Sequence, residues 1–354
     1  MSGKIPVTVI SGFLGSGKTT LLNRLLSAKD VSPADSGAAG RTIVIVNELG
    51  AVGLDHLQVR HIADSVVLLE SGCICCSVRG ALVDTLRDLF LDALHKKIPS
   101  FSRVIIETTG IADPAPVMYT LSYEHFLSDR YVYDGCISVI DGVYGAEQLR
   151  RDPVAVQQAV LADALVISKT DLATAQGIAA LQQQLSTLNP QALQHFAGDR
   201  PGLADLLRSS SLRTGVAQPS AGQGLWATGA VRQPFAHGDV KTFAMTWGTP
   251  LQRSSFIRAI SRVQADTSLE LLRVKGVLWF QGDDSASAIH GVHNQLYPVE
   301  ALNNDIVPVP AGDQRESALV LIFRGNSGDR LAVEMADLLP GGQLRLSSSH
   351  NFVQ

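Results

Sequence analysis

Residues 5–20 read Ile5-Pro-Val-Thr-Val-Ile-Ser-Gly-Phe-Leu-Gly-Ser-Gly-Lys-Thr-Thr20. The apolar, β-prone run from Val7 to Ile10 leads into Gly12-Phe13-Leu14-Gly15-Ser16-Gly17-Lys18-Thr19, which fits G-x-x-x-x-G-K-[ST]. Leu21-Leu22-Asn23-Arg24-Leu25-Leu26 then has a helical pattern. Buried strand, glycine loop and helix N-terminus, in that order, form the setting in which this motif binds phosphate. Glycines let backbone N–H groups curl around a phosphate, and the helix N-terminus adds unpaired donors and a favourable dipole. Nucleotide contacts are therefore expected at Gly12, Gly15, Ser16, Gly17, Lys18, Thr19 and Thr20. Lys18 reaches the β/γ-phosphates and the Thr19 hydroxyl ligates Mg2+. A chance glycine turn would not carry lysine, threonine, strand and helix in register, so the chain reads as a nucleotide-binding protein.

Beyond the loop the pattern repeats. Arg41–Val46, Val66–Leu69, Arg103–Ile106, Cys136–Ile140 and Ala164–Ile167 are continuous apolar runs, with a helical pattern over 79–95 between the second and third. Such runs separated by helices predict a mostly parallel sheet covered by helices on both faces, the α/β architecture of P-loop NTPases. Ligands in such sheets sit beyond the carboxyl ends of the strands, where the polar clusters of this sequence fall. From about 198 to 238 the texture loosens, with Ser209-Ser-Ser211 and Pro219-Ser-Ala-Gly-Gln-Gly224. Strands over 241–247, 269–280, 286–292 and 318–323, with helices over 251–265 and 328–338, predict a smaller α+β C-terminal domain. The expected division is a nucleotide domain over 1–200, a linker over 201–238, the second domain over 239–340 and a tail over 341–354.

The 354 residues suit two domains, and a net charge of -4 offers no electrostatic footprint for nucleic acid or an anionic membrane. No apolar run approaches a membrane span and no secretory leader precedes the first strand, so a cytoplasmic location is expected.

Three polar clusters carry chemistry. Ser168-Lys169-Thr170-Asp171 follows a strand late in the first domain. The Asp171 carboxylate can accept the guanine N1–H and 2-amino hydrogens together, and adenine lacks that donor pair, while the Lys169 stem can lie along the base. A plain polar turn is the alternative, but on the same sheet edge as the loop it reads as a guanine site. Glu107, after Val104-Ile105-Ile106, occupies the acid position that holds a water on Mg2+, with Asp141 as a rival. Glu107 is preferred because Thr109-Gly110 follows, a turn that can approach the γ-phosphate.

Three of the four cysteines lie in Cys73-Ile74-Cys75-Cys76. In a reducing compartment this reads as metal or redox chemistry rather than a disulfide framework. In an extended chain Cys73 and Cys75 point the same way and can pinch one Zn2+, with Cys76 a third ligand. Water, Glu48, Glu70 or His56 could complete the site. A redox pair or inert buried cysteines are the alternatives. His290 and His293, at an odd offset in an expected strand, face opposite ways and do not form a site together.

The loop, Val46-Asn47-Glu48-x-Gly50, Gly72-Cys-Ile-Cys-Cys76, Glu107-Thr-Thr-Gly-x-Ala-Asp-Pro114 and Ser168–Asp171 stand in the order found in CobW-like metallochaperone GTPases. The second domain, with Leu272-Arg273-x-Lys275-Gly276, resembles that family's C-terminal domain, nearest its YjiA-like branch. The resemblance covers nearly the whole chain. It implies GTP hydrolysis coupled to handling Zn2+, Co2+ or another divalent transition metal, delivered to a client metalloprotein. It also implies Glu48 as a switch acid near the metal ions, Cys73, Cys75 and Cys76 as the transferable-metal motif, and Lys169 and Asp171 as guanine readers. The sequence departs from the family's Asn-Glu-Phe-Gly-Glu, since Leu49 replaces Phe and Ala51 replaces the second Glu. No His-rich loop appears, so the metal site leans on the cysteines. Two other functions fit parts of the pattern. One is a GTP-dependent scaffold or activator whose cysteines are structural or redox-active, and the other is an ATP-dependent small-molecule kinase, against which Asp171 argues. The client, the physiological metal and the oligomeric state, a homo-oligomer included, are left open.

Overall fold

The computed structural model describes residues 4–27, 41–47, 66–69, 77–210, 240–293, 295–302, 315–325 and 328–347. Glu48, His56, Glu70, Cys73, Cys75 and Cys76 lie outside the described residues, as do residues 31–40, most of the expected linker and the last residues. The chain divides into two compact units, the first formed by residues up to Gln182 together with Gln191–Ser210, the second by Gln183–Pro190 and the remainder.

The first unit is built on a parallel sheet of β1 (Ile5–Gly12), β2 (Arg41–Asn47), β3 (Val66–Leu69), β4 (Phe101–Glu107), β5 (Tyr131–Asp141), β6 (Ala164–Ser168) and β7 (Leu193–Phe196). Their order across the sheet is β3-β2-β4-β1-β5-β6-β7, every pairing parallel. Because side chains alternate along a strand, the sheet splits its apolar residues between two cores. Val7, Val9, Ile43, Ile45, Val104 and Ile106 join one cluster, while Ile10, Val44, Val46 and Ile105 join another. The first is covered by α2 (Ser77–Leu94), α3 (Ala115–Tyr123) and α4 (His125–Arg130), through Leu82, Leu86, Val117, Leu121 and Leu127. The second is covered by α1 (Lys18–Ser27) through Leu21, Leu22 and Leu25. Removing a fully buried leucine such as Leu86 would cost about 2–5 kcal/mol, a large share of a domain's stability. The edge that bears the glycine loop is thus held rigidly from both sides.

Two boundaries differ from expectation. A helix, α8 (Leu203–Ser210), places Leu203, Leu206 and Leu207 in the second core, so the first unit runs past 200, to Ser210. Its leucines sit three and four apart, a helical spacing that the serines following it obscured.

Between β5 and β7 lie α5 (Gly145–Arg151), α6 (Pro153–Leu161) and α7 (Ala175–Leu188). The second unit holds an antiparallel sheet of β8 (Val240–Trp247), β9 (Leu269–Leu278), β10 (Ser287–Val292), β11 (Gln295–Leu296), β12 (Glu300–Ala301), β13 (Ser317–Gly325) and β14 (Gln343–Ser347). Helices α9 (Arg253–Ala265) and α10 (Gly328–Leu338) contribute Phe256, Ile260, Val263, Leu331 and Met335 to its core. The expected tail is the second difference: β14 pairs with β8, so residues 343–347 extend the sheet. The alternation Leu344, Leu346 against Arg345 is a short strand pattern that its length made easy to miss. His290 lies in β10, and His293 follows its end with a left-handed backbone, φ 51°. Among the described residues no helix is long and apolar enough to cross a membrane.

Candidate functional site

β1 runs between β4 and β5, so the loop that leaves it emerges at the centre of the sheet's carboxyl edge. Gly12 has φ 138°, and a Cβ there would stand 2.3 Å from the Val139 carbonyl oxygen of β5. Only glycine allows the chain to turn this close to the neighbouring strand. Gly15 and Gly17 also have positive φ, and a Cβ at either would meet nothing nearer than 3.8 Å, so the backbone is bare and approachable there. The Ser16 N–H donates to Phe13 O at 3.2 Å, and the Leu21 N–H to Gly17 O at 2.9 Å, closing the loop into α1. Lys18 is buried, and its ammonium donates back to Phe13 O at 3.1 Å across the loop.

The β1–β4 register sets Ile10 opposite Glu107. That brings the Thr19 hydroxyl to 2.9 Å from Glu107 Oε1, to which it donates. Glu107 is buried, and Thr20 is exposed. A threonine hydroxyl beside a carboxylate is a hard-oxygen pair suited to Mg2+. A bare glycine loop at a helix N-terminus suits a phosphate chain. The residues present therefore fit a Mg2+–nucleotide. After Glu107 the chain turns back over the loop: the Thr108 N–H donates to Ile10 O at 3.0 Å, and a Cβ on Gly110 would be 2.7 Å from Leu14 N and Cα.

Asp141 does not join this pair. Its Oδ2 receives the Lys169 ammonium at 2.6 Å, and its Oδ1 accepts the Val143 and Tyr144 N–H groups at 2.8 and 3.0 Å. Burial pushes the Asp141 carboxyl up, but the hydrogen bonds from Lys169, Tyr144 and Val143 and the Lys169 charge together bring it below the ordinary value. Lys169 has φ 52°, and the Leu172 N–H returns to its carbonyl at 3.1 Å, so Asp171 stands exposed in a tight turn, Thr170–Leu172. The Ser168 hydroxyl reaches Ser16 O at 2.6 Å, tying the end of β6 to the glycine loop.

Two contributors carried no readable signal in the sequence. The guanidinium of Arg24, on α1, donates to Ala197 O at 2.6 Å and Pro201 O at 3.0 Å. It thereby fixes the turn after β7, whose Gly198 faces Thr170: a Cβ there would be 3.9 Å from the Thr170 hydroxyl. Gln158 on α6 is the second, with its amide nitrogen on Gly110 O and Ala112 O. Both act on backbone carbonyls far away in sequence, which no motif records. Among the described residues no group of three His, Cys, Asp or Glu side chains could hold a metal ion. Glu48, Cys73, Cys75 and Cys76 lie outside those residues.

Residues 6–196 match the family model of the CobW/HypB/UreG nucleotide-binding domain. The chain belongs to the CobW/HypB/UreG family. Residues 240–339 match the cobalamin synthesis protein cobW C-terminal domain. Among curated relatives, the zinc chaperone YjiA of Escherichia coli is 31% identical over 303 residues, covering 84% of this chain and 88% of that protein. The zinc-regulated GTPase metalloprotein activator 1 of Schizosaccharomyces pombe is 28% identical over 193 residues, 52% of this chain and 44% of that protein. A crystal structure of a Zn(II)-bound triple mutant of the YjiA GTPase superposes with a TM-score of 0.67 at 25% identity, covering 95% of this chain and 99% of that one. CobW family membership accounts for both units and for the P-loop fold of the first.

Proposed function

We propose that this chain is a GTP-hydrolysing zinc chaperone, in which nucleotide state governs how tightly zinc is held and when it passes to a client metalloprotein. The observation that carries the reading is the Thr19–Glu107 contact beneath a bare glycine loop, on a chain that also carries Gly72-Cys-Ile-Cys-Cys76. The loop N–H groups and Lys18 bind the phosphate chain, and Lys18 offsets charge that grows as the terminal phosphoryl group leaves. Thr19 and Glu107 would hold Mg2+, which supplies charge neutralisation between the phosphates. Asp171 reads the guanine edge, and Lys169, anchored by Asp141, lies against the base. Water attacks the γ-phosphorus as the bond to the bridging oxygen breaks, giving GDP and inorganic phosphate.

Zinc is cargo in this scheme. Cys73, Cys75 and Cys76 are the thiolate ligands we assign to it, with Glu48 joining them or reporting the nucleotide state to them. Co2+ or another divalent transition metal would be a weaker occupant of a site built on soft thiolates, apart from copper. The names of the curated relatives support zinc. We place the protein in the cytoplasm, where thiols stay reduced, with no nucleic-acid or membrane partner.

The test is competitive Zn2+ titration with a non-hydrolysable GTP analogue and with GDP. Wild type should differ in affinity between the two states, and Cys73→Ser or Cys75→Ser should bind Zn2+ far more weakly in both. Cys136 is buried in the first core, so Cys136→Ser should leave Zn2+ affinity unchanged. Identical wild-type affinities in the two nucleotide states would remove the switch.

A further inference from the structure

Helix α6 is buried along nearly its whole length, from Ala155 to Leu161, yet it carries two glutamines. Gln158 is 1% exposed. Its Nε2 donates to Gly110 O at 3.2 Å and to Ala112 O at 3.0 Å, while its Oε1 makes no hydrogen bond among the described residues. An amide half-satisfied in a core is costlier than a methionine or leucine of similar size. Its retention there points to the work of its two N–H bonds. Both acceptors are carbonyls, so the nitrogen and oxygen of the amide cannot be exchanged.

The carbonyls belong to the turn between Glu107 and α3. That turn is pinned at its ends by Thr108, which donates to Ile10 O, and by Asp113, whose Oδ1 accepts the Ala115 N–H at 2.9 Å. Gln158 holds its middle. Peptide planarity then fixes the rest: with the carbonyl of Gly110 turned toward α6, the N–H group of Ile111 points away from it. The same turn lies against Leu14 of the glycine loop and carries Thr109, whose hydroxyl is buried and makes no hydrogen bond among the described residues.

We propose that Gln158 is a positioning residue for GTP hydrolysis, holding the Thr108–Pro114 turn so that the Ile111 N–H and the Thr109 hydroxyl meet the terminal phosphate. The inference rests on the phosphate site assigned above and deepens it. Gln158 touches neither nucleotide nor Mg2+ and acts only through the turn. GDP lacks the terminal phosphate, so its binding should not depend on Gln158.

Gln158→Met keeps volume and removes both donors. With the fold checked by circular dichroism, kcat should fall by up to about 100-fold, the cost of a small misplacement of reacting groups. GDP affinity should stay within about 2-fold, the signature of an interaction used with the triphosphate alone. An unchanged kcat, or equal losses of kcat and GDP affinity, would overturn the proposal. Gln158→Glu supplies a second reading. Ionised, the introduced carboxylate repels both carbonyls; protonated, it can donate to one of them, and burial raises its pKa. The ratio of Gln158→Glu to wild-type turnover should therefore rise as pH falls, whereas a ratio independent of pH would count against the donor role. Lys18→Ala, assayed alongside, separates the two readings. If it hydrolyses GTP normally, the phosphate site itself is misassigned. If it is inactive while Gln158→Met is normal, only the role of Gln158 falls.

Discussion

The two ends of the proposed nucleotide site are made differently. The phosphate end comes from one contiguous stretch, Gly12 to Thr19, and its donors are backbone groups left bare by glycine. The base end is assembled from distant pieces: Lys169 on Asp141, Ser168 on Ser16, and Arg24 on the turn after β7. Its polar groups are bonded to one another or to backbone carbonyls. The phosphate end is thus held largely within its own loop, where Lys18 and the Ser16 N–H both donate to Phe13 O, whereas the base end is held by bonds between distant segments. Loss of a residue should accordingly cost turnover at the first end, and selectivity or stability at the second.

Lys18→Ala should give the largest effect, lowering kcat by about 10²–10³-fold, as for other single groups aimed at transition-state charge. Steady-state phosphate release measures it. Turnover near the wild-type rate in a folded variant would place the phosphate chain elsewhere. Asp171→Asn should act on the other end, weakening GTP by about 10- to 100-fold by leaving guanine donors unpaired, with ATP almost unaffected. Fluorescent-nucleotide titrations with both purines decide it, and equal losses would refute a guanine reader at Asp171.

The same contrast explains how much could be read in the sequence. The parallel sheet was legible because β1, β2, β4 and β6 are apolar on both faces and end in polar clusters. The glycine loop was legible because its chemistry is local. Glu107 and Asp141 each follow a buried strand, and in the sequence the Thr109-Gly110 turn after Glu107 favours it over Asp141. The β1–β4 register, which sets Ile10 beside Glu107, then separates the acid near Thr19 from the acid that holds Lys169. Gln158 and Arg24 left no trace because their partners are backbone carbonyls 46 and 173 residues away. Helix α8 and strand β14 were lost for a different reason: short elements beside serine-rich stretches have too few residues to display a period.

Asp141→Asn probes the arrangement of the base end without nucleotide. The carboxylate is buried, but Lys169 is partly open to water, so the loss at neutral pH should be about 1–2 kcal/mol. The folded carboxyl lies below its ordinary value of 3.8. A depressed carboxyl stabilises the fold in full above the unfolded value and loses that contribution as pH falls through the folded one. Thermal melts of wild type and Asp141→Asn should therefore differ at neutral pH and converge in acid, below about 3.8. A gap unchanged down to acid would mean that charge at Asp141 is irrelevant and that its hydrogen bonds to Val143 and Tyr144 matter alone.

The smallest effect is expected at the bond between Ser168 and the glycine loop. The Ser168 hydroxyl is buried and donates across to Ser16 O, joining β6 to the glycine loop. Ser168→Ala deletes that bond and the longer contact of the same hydroxyl with Ile140 O at 3.2 Å, while both segments keep their own strands and turns. A net hydrogen bond is worth about 0.5–1.5 kcal/mol, so GDP affinity should fall by about 2- to 10-fold. GDP spans both ends and needs them at a fixed spacing, whereas pyrophosphate occupies the loop alone. Pyrophosphate affinity should therefore stay at the wild-type value, and calorimetry with both ligands reads the difference. If both fall together, Ser168 is a prop of the glycine loop rather than a tie between two ends. If neither falls, the base end and the phosphate end bind their parts of the nucleotide independently.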